Sequence, residues 1–101
     1  MITEEMMMIT EMLLMSYYFD MSEWLKGVKT VNIDIIQKSK DDLLDMLKSD
    51  FEELSTEDNN EYLDDLSVCI ATLEELSEDA YQNIKTEVFS WEPGQKKLKM
   101  T

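Results

Sequence analysis

Two apolar stripes at helical spacing follow one another in the middle of the chain, and they constrain the fold more than any other feature. Leu43, Leu44, Leu47, Phe51 and Leu54 fall on one side of a helix over 40–54, with Asp41, Asp42, Asp45 and Glu52 on the other. Tyr62, Leu66, Cys69, Ile70, Leu73 and Leu76 repeat the pattern over 58–76, with Glu57, Glu61, Asp64 and Glu75 turned outward and Val68 projecting among them. Between the two lies STEDNN (55–60), a loop or cap, so the pair reads as a helical hairpin. Ser39 is placed to cap the first helix, with Asp42 three residues on. Asp50 lands near the apolar edge, where a carboxylate either reaches out to water or finds a partner.

The flanking segments also read as helix. Residues 2–19 contain no Gly or Pro and are rich in Glu, Met and Leu, but Met6, Met8, Ile9, Leu13, Leu14 and Met15 project in nearly every direction. A helix without a polar face belongs at the centre of a fold or against a second chain. Its methionines, with Met8, Met12 and Met15 as the candidate contact residues, offer an adaptable surface for self-association. Asp20 and Glu23 have capping-box spacing and Gly27 is a stop, which gives a short helix near 21–26 with Trp24 and Leu25 against the core. Over 30–38, Val31, Ile33 and Ile35 alternate like a strand, yet Ile36 breaks the alternation. Helix is favoured there, and a ribbon with Glu87 to Trp91 is the alternative. Ser77 caps a last helix over about 78–90, with Ala80, Tyr81, Ile84, Val88 and Trp91 on one side and Pro93-Gly94 as its end.

Charge is distributed very unevenly. The 101 residues carry 23 acids, nine Lys, no Arg and no His, for a net charge of −14. Residues 41–79 hold 15 of the acids and one lysine, Lys48, while the rest of the chain holds eight of each. The whole formal charge therefore belongs to the hairpin and its ends. Carboxylates three and four positions apart on a helix repel by a few tenths of a kcal/mol per pair, and a mixed surface would give solubility without that cost. A solvated face is the plain explanation of such a run. The functional one is that the field itself is used, on a basic partner.

The same composition narrows the chemistry. Without His there is no ordinary general base or imidazole metal ligand, and without Arg no bidentate phosphate clamp. No catalytic residue, metal site or cofactor is therefore expected. A calcium loop counted from Asp58 puts Leu63 at the sixth position and Cys69 at the twelfth, where Gly and Glu are required. Cys69, the single cysteine, lies on an inner stripe and reads as a small buried hydrophobe in a reducing compartment. The strong negative charge argues against direct contact with nucleic acid or an anionic membrane. No basic leader and no apolar run of spanning length is seen, so the cytoplasm is the expected location.

In composition the chain resembles small acidic inhibitors carried by bacteriophages and mobile elements, DNA mimics and some anti-CRISPR proteins among them. No motif carries that likeness, and it assigns no residue a role. The sequence predicts an all-α domain over 1–92, a small bundle of four to five helices with an acidic hairpin, followed by a basic flexible tail over 93–101. The leading function is a non-enzymatic inhibitor that offers Asp41, Asp42, Asp45, Glu52, Glu57, Glu61, Asp64, Val68 and Glu75 to a basic, nucleic-acid-handling protein. The alternative is a helical adaptor or homodimeric subunit that uses the Met-rich first helix.

Overall fold

The computed structural model describes residues 1–56 and 60–93. Among them it is all-helical, with α1 (Glu4–Tyr18), α2 (Met21–Trp24), α3 (Ile33–Ile36), α4 (Lys40–Leu54), α5 (Asn60–Glu75) and α6 (Glu78–Phe89). This is the small all-α bundle expected, and the short segments within 21–26 and 30–38 each close a single helical turn of their own. Glu57 and the basic tail from Gly94 onward lie outside the described residues.

The helix starts are set by the side chains that the pattern nominated. Ser39 Oγ accepts from the Asp42 amide at 3.2 Å, Ser77 Oγ from the Ala80 amide at 3.1 Å, and Thr3 Oγ1 from the Met6 amide at 3.1 Å. Each satisfies a donor that the first turn leaves unpaired. Asp20 caps α2 by accepting from the amides of Ser22 and Glu23, and these bonds with the Ser22 side chain foremost hold its carboxyl below the usual carboxylate range. Gly27 turns the chain after α2 at φ 89°, a conformation that costs other residues a clash at Cβ.

α1 is the centre. It packs on α5, α6 and α3, while α4 packs on α5 and α6. Leu14, Tyr18, Leu43, Leu47, Leu66, Cys69, Leu73, Tyr81 and Val88 are fully enclosed, so every long helix contributes to one core. Tyr18 and Tyr81 share a buried hydrogen bond at 2.9 Å between α1 and α6, which lets two phenols enter the core without an orphaned hydroxyl. Burial raises both phenols above their ordinary pKa and pushes the Cys69 thiol up to about 12.

Residues 30–36 combine the two readings of the sequence. Val31 forms an isolated antiparallel bridge with Phe19, closed by Asp20 N–H to the Thr30 carbonyl at 3.0 Å and Asn32 N–H to the Tyr18 carbonyl at 2.7 Å. One turn of helix follows. The ribbon with Glu87 to Trp91 does not form, because α6 continues to Phe89. Trp91 lies past the end of α6 yet is buried, and its Nε1 donates to Glu87 Oε2 at 3.2 Å.

Candidate functional site: the outer face of the acidic hairpin

α4 and α5 run antiparallel, tied at one end by Lys40 Nζ, which donates to the Leu73 carbonyl at 3.3 Å, and by the Lys40 amide, which donates to Glu78 Oε1 at 3.0 Å. Lys48, midway along α4, reaches Glu74 near the end of α5, its Nζ 2.9 Å from Glu74 Oε2, both side chains half-exposed. Glu74 holds the Lys48 ammonium above its ordinary pKa.

That pair fixes the register of the outer surface. Residues at i−7, i−3 and i+4 from Lys48 share its stripe on α4, and these are Asp41, Asp45 and Glu52. On α5 the neighbours of Glu74 at helical spacing are Ala71, Ser67 and Asp64, all exposed, whereas Glu61 is turned about 140° from Glu74, toward the flank that carries Val68 and Glu75. The two stripes meet at Lys48 and Glu74, which puts Asp41, Asp45 and Glu52 of α4 on the same outer side of the hairpin as Ala71, Ser67 and Asp64 of α5, with Glu61 on the other flank. Asp42 and Glu53 are exposed as well but project from the far flank of α4.

Several residues proposed from sequence are engaged or placed differently. Glu75 meets the Met1 amino group at 3.1 Å, and Asp41 lies 4.0 Å from Lys40 Nζ. Val68 is half-buried, one turn before the buried Thr72, and does not stand clear of the core as an apolar point among acids. No ion pair forms at Asp42, Asp45, Glu52, Glu61 or Asp64 among the described residues.

The methionine surface needs a correction. Met15 is inside the core and Met12 packs against it, while Met8 remains 53% exposed. Because α1 is covered by α3 and α6 as well as by α5, Met12 and Met15 are taken up internally, and Met8, Met12 and Met15 do not form a shared outer surface.

Sequence reasoning left Asp50 with two options, and the structure takes the second. Tyr17 Oη donates to Asp50 Oδ2 at 2.8 Å, and Tyr62 Oη donates to Tyr17 Oη at 3.3 Å. This chain links α1, α4 and α5 and anchors the hairpin on the central helix. Burial, with the bonds to Tyr62 and Asp50 behind it, raises the Tyr17 phenol well above its ordinary pKa.

No group of three or more His, Cys, Asp or Glu suited to a metal ion occurs among the described residues, and no helix there is long and apolar enough to cross a membrane. No protein family matches the chain, and neither a curated protein nor a solved structure does.

Proposed function

We propose that the protein is a non-enzymatic inhibitor that lays the outer face of the α4–α5 hairpin into the basic cleft of a nucleic-acid-handling protein, as a DNA mimic does. The observation that carries this reading is charge per unit length. α5 has 16 residues, which makes the hairpin about 24 Å long at 1.5 Å per residue. Residues 40–75, the hairpin and its connection, hold 13 acids and two lysines, a net of −11. The quotient is about one charge per 2.2 Å, close to the roughly 1.7 Å axial spacing of duplex DNA counted over both strands. Asp41, Asp45, Glu52 and Asp64 form the working surface, while Asp42, Glu53 and Glu61 enlarge the field from the flanks.

A cleft shaped to counter that density gains little from a mixed surface and much from this one. Attraction on this scale raises the association rate and makes binding fall with salt. The hairpin is also pre-organised: its inner side is locked by Leu43, Leu47, Leu66 and Leu73, so the carboxylates need little ordering when they bind. A relationship to phage-borne anti-defence inhibitors, anti-CRISPR proteins included, belongs to the same proposal.

The test is affinity capture from a bacterial lysate at low and high salt, with duplex DNA as competitor. Wild type is expected to retain a nucleic-acid-binding protein at low salt and to lose it to both high salt and DNA. Combined Asp41→Lys, Asp45→Lys, Glu52→Lys and Asp64→Lys is expected to retain none, with the helical circular-dichroism spectrum intact. Retention by this variant equal to wild type would sink the proposal.

A further inference from the structure

One cation closes the end of α6. Lys29 Nζ donates to the Phe89 carbonyl at 2.6 Å and to Glu92 Oε2 at 2.8 Å. It also stands 4.8 Å from the centre of the Phe89 ring and 5.4 Å from that of Phe19. Phe19 is in turn stacked with Phe89 at 6.0 Å and with Trp24 at 4.9 Å. α6 carries no basic residue in its last turn, so Lys29 brings from 60 positions away the positive charge that a helix C-terminus favours. A carbonyl, a carboxylate and two ring faces thus depend on one ammonium.

Two other helix ends are met in the same manner. Lys40 Nζ donates to the Leu73 carbonyl of α5, and Lys85 Nζ to the Ile36 carbonyl of α3 at 2.9 Å. Those lysines stand on α4 and α6, helices whose inner residues are fixed in the core. Lys29 does not. It lies in the connection between α2 and α3, directly after the exposed residues 25–28, where Gly27 turns the chain. The segment it holds is irregular as well, since α6 ends at Phe89. Trp91 is buried there, and its amide bond to the Val88 carbonyl and its indole bond to Glu87 both stay within the helix end. Those two bonds travel with the segment, whereas the bonds of Lys29 tie it to a distant one.

We propose that Lys29 is the latch of a C-terminal strap: residues 89–93 close over Phe19 while Lys29 holds them, and open as a unit, with the core of α1, α4 and α5 still folded, when it lets go. Both sides of the latch lie outside the long helices, so parting them moves Trp91 but none of the fully enclosed side chains. Four contacts converge on one nitrogen and are lost together, which favours a single concerted step. Phe89 lines the shallow groove between α3 and α6 with Val31, Ile33 and Ile36, so the latch also decides whether that groove keeps its wall. The inference does not depend on what the hairpin binds.

Amide hydrogen exchange of the full chain, followed by NMR across a series of low urea concentrations, tests it. The Ser90 and Trp91 amides, bonded to the Thr86 and Val88 carbonyls, report the strap, and Leu14 and Leu66 report the core. In wild type, exchange at Ser90 and Trp91 is expected to be almost independent of urea, as a small local opening requires, while exchange at Leu14 and Leu66 rises steeply. Lys29→Gln should speed exchange at Ser90 and Trp91 by at least about tenfold. Glu92→Gln, which removes one contact at an exposed residue, should do so by about threefold. Lys26→Gln makes the same charge change at an exposed neighbour and should leave both within about twofold of wild type. Circular dichroism accompanies each variant, and Glu92→Gln against Lys26→Gln carries the test if Lys29→Gln loses helix. Strap exchange that rises with urea as steeply as the core's overturns the proposal, because the end of α6 then opens only with the whole fold. So does a Lys29→Gln variant, or an unfolded one's substitute Glu92→Gln, that speeds Ser90 and Trp91 no more than Lys26→Gln does. That result is ordinary fraying of a helix end, which does not respond to a residue so far along the chain.

Discussion

The outer face of α4–α5 and the groove between α3 and α6 are both helical surfaces, yet one shows almost nothing but charge and the other shows Ile33 and Phe89 to water. The difference follows from helix length. α4 and α5, with 15 and 16 residues, have enough turns to place the leucines of the inner stripe against α1 or each other and to leave polar positions and the small Ala71 outside. α3 has four residues, three of them isoleucine. A single turn points its side chains around the full circle, so Ile35 is buried, Ile36 is half-buried and Ile33 remains outside. Long amphipathic helices hide their apolar content, whereas a one-turn helix crowded with isoleucine must expose some of it.

The same chemical change in the two regions gives the strongest contrast. Leu47→Asp puts a carboxylate into a fully enclosed site under the hairpin and is expected to cost more than about 4 kcal/mol, enough to unfold a small domain. Ile33→Asp at the groove should change stability by no more than about 0.5 kcal/mol. Urea unfolding followed by circular dichroism measures both, and similar losses at the two sites would break the comparison.

A smaller effect tests how the hairpin is held to the rest. Tyr17→Phe removes the donor to Asp50 and the acceptor of Tyr62 in one step. A hydrogen bond to a charged group contributes about 1.5–3 kcal/mol, so a loss of that size is expected, with the denaturant slope unchanged. Tyr62→Phe, which removes only the longer bond, should cost less. Equal losses would mean that Asp50 is not the anchor.

The smallest effect is in pH. The Glu78 carboxyl, bridging Gln82 and the Lys40 amide, is held below its ordinary pKa, chiefly by the Gln82 side chain. A depressed folded-state pKa stabilises the fold above the unfolded pKa, and that contribution is lost as pH falls through the folded value. Glu78→Gln should therefore narrow its gap from wild type in thermal midpoint as pH falls from about 6 to about 3. A gap that stays constant over that range would remove Glu78 as a titrating contributor.

Most of the fold was legible in the sequence because its long helices are locally consistent. Ser39 and Ser77 cap where their spacing places them, and the stripes of α4 and α5 run inward as read. Where the sequence was ambiguous, local forces were balanced. Val31 to Ile36 alternates like a strand and ends in a helix-compatible run, and the chain uses both, pairing Val31 with Phe19 before turning. The acidic face was legible as a set of residues but not as a surface. Which acids share a face depends on how α4 lies against α5, and Lys48 with Glu74 settles that register. The methionines of α1 were legible only as apolar. Whether a residue such as Met15 faces a second chain or the core is a property of what packs around α1.

By itself, then, the sequence determined the helices, their caps, the inner stripes and the concentration of charge over residues 41–79. These are consequences of periodicity and composition, which are local. Tertiary structure alone decided that Asp50 would be answered by Tyr17 of α1, that Met15 would be spent inside, and that α3 and α6 would enclose an apolar groove with Lys85 held on the Ile36 carbonyl. Each of these depends on groups distant in the chain meeting at a few ångströms, and no periodicity along one segment encodes what another segment will bring to it.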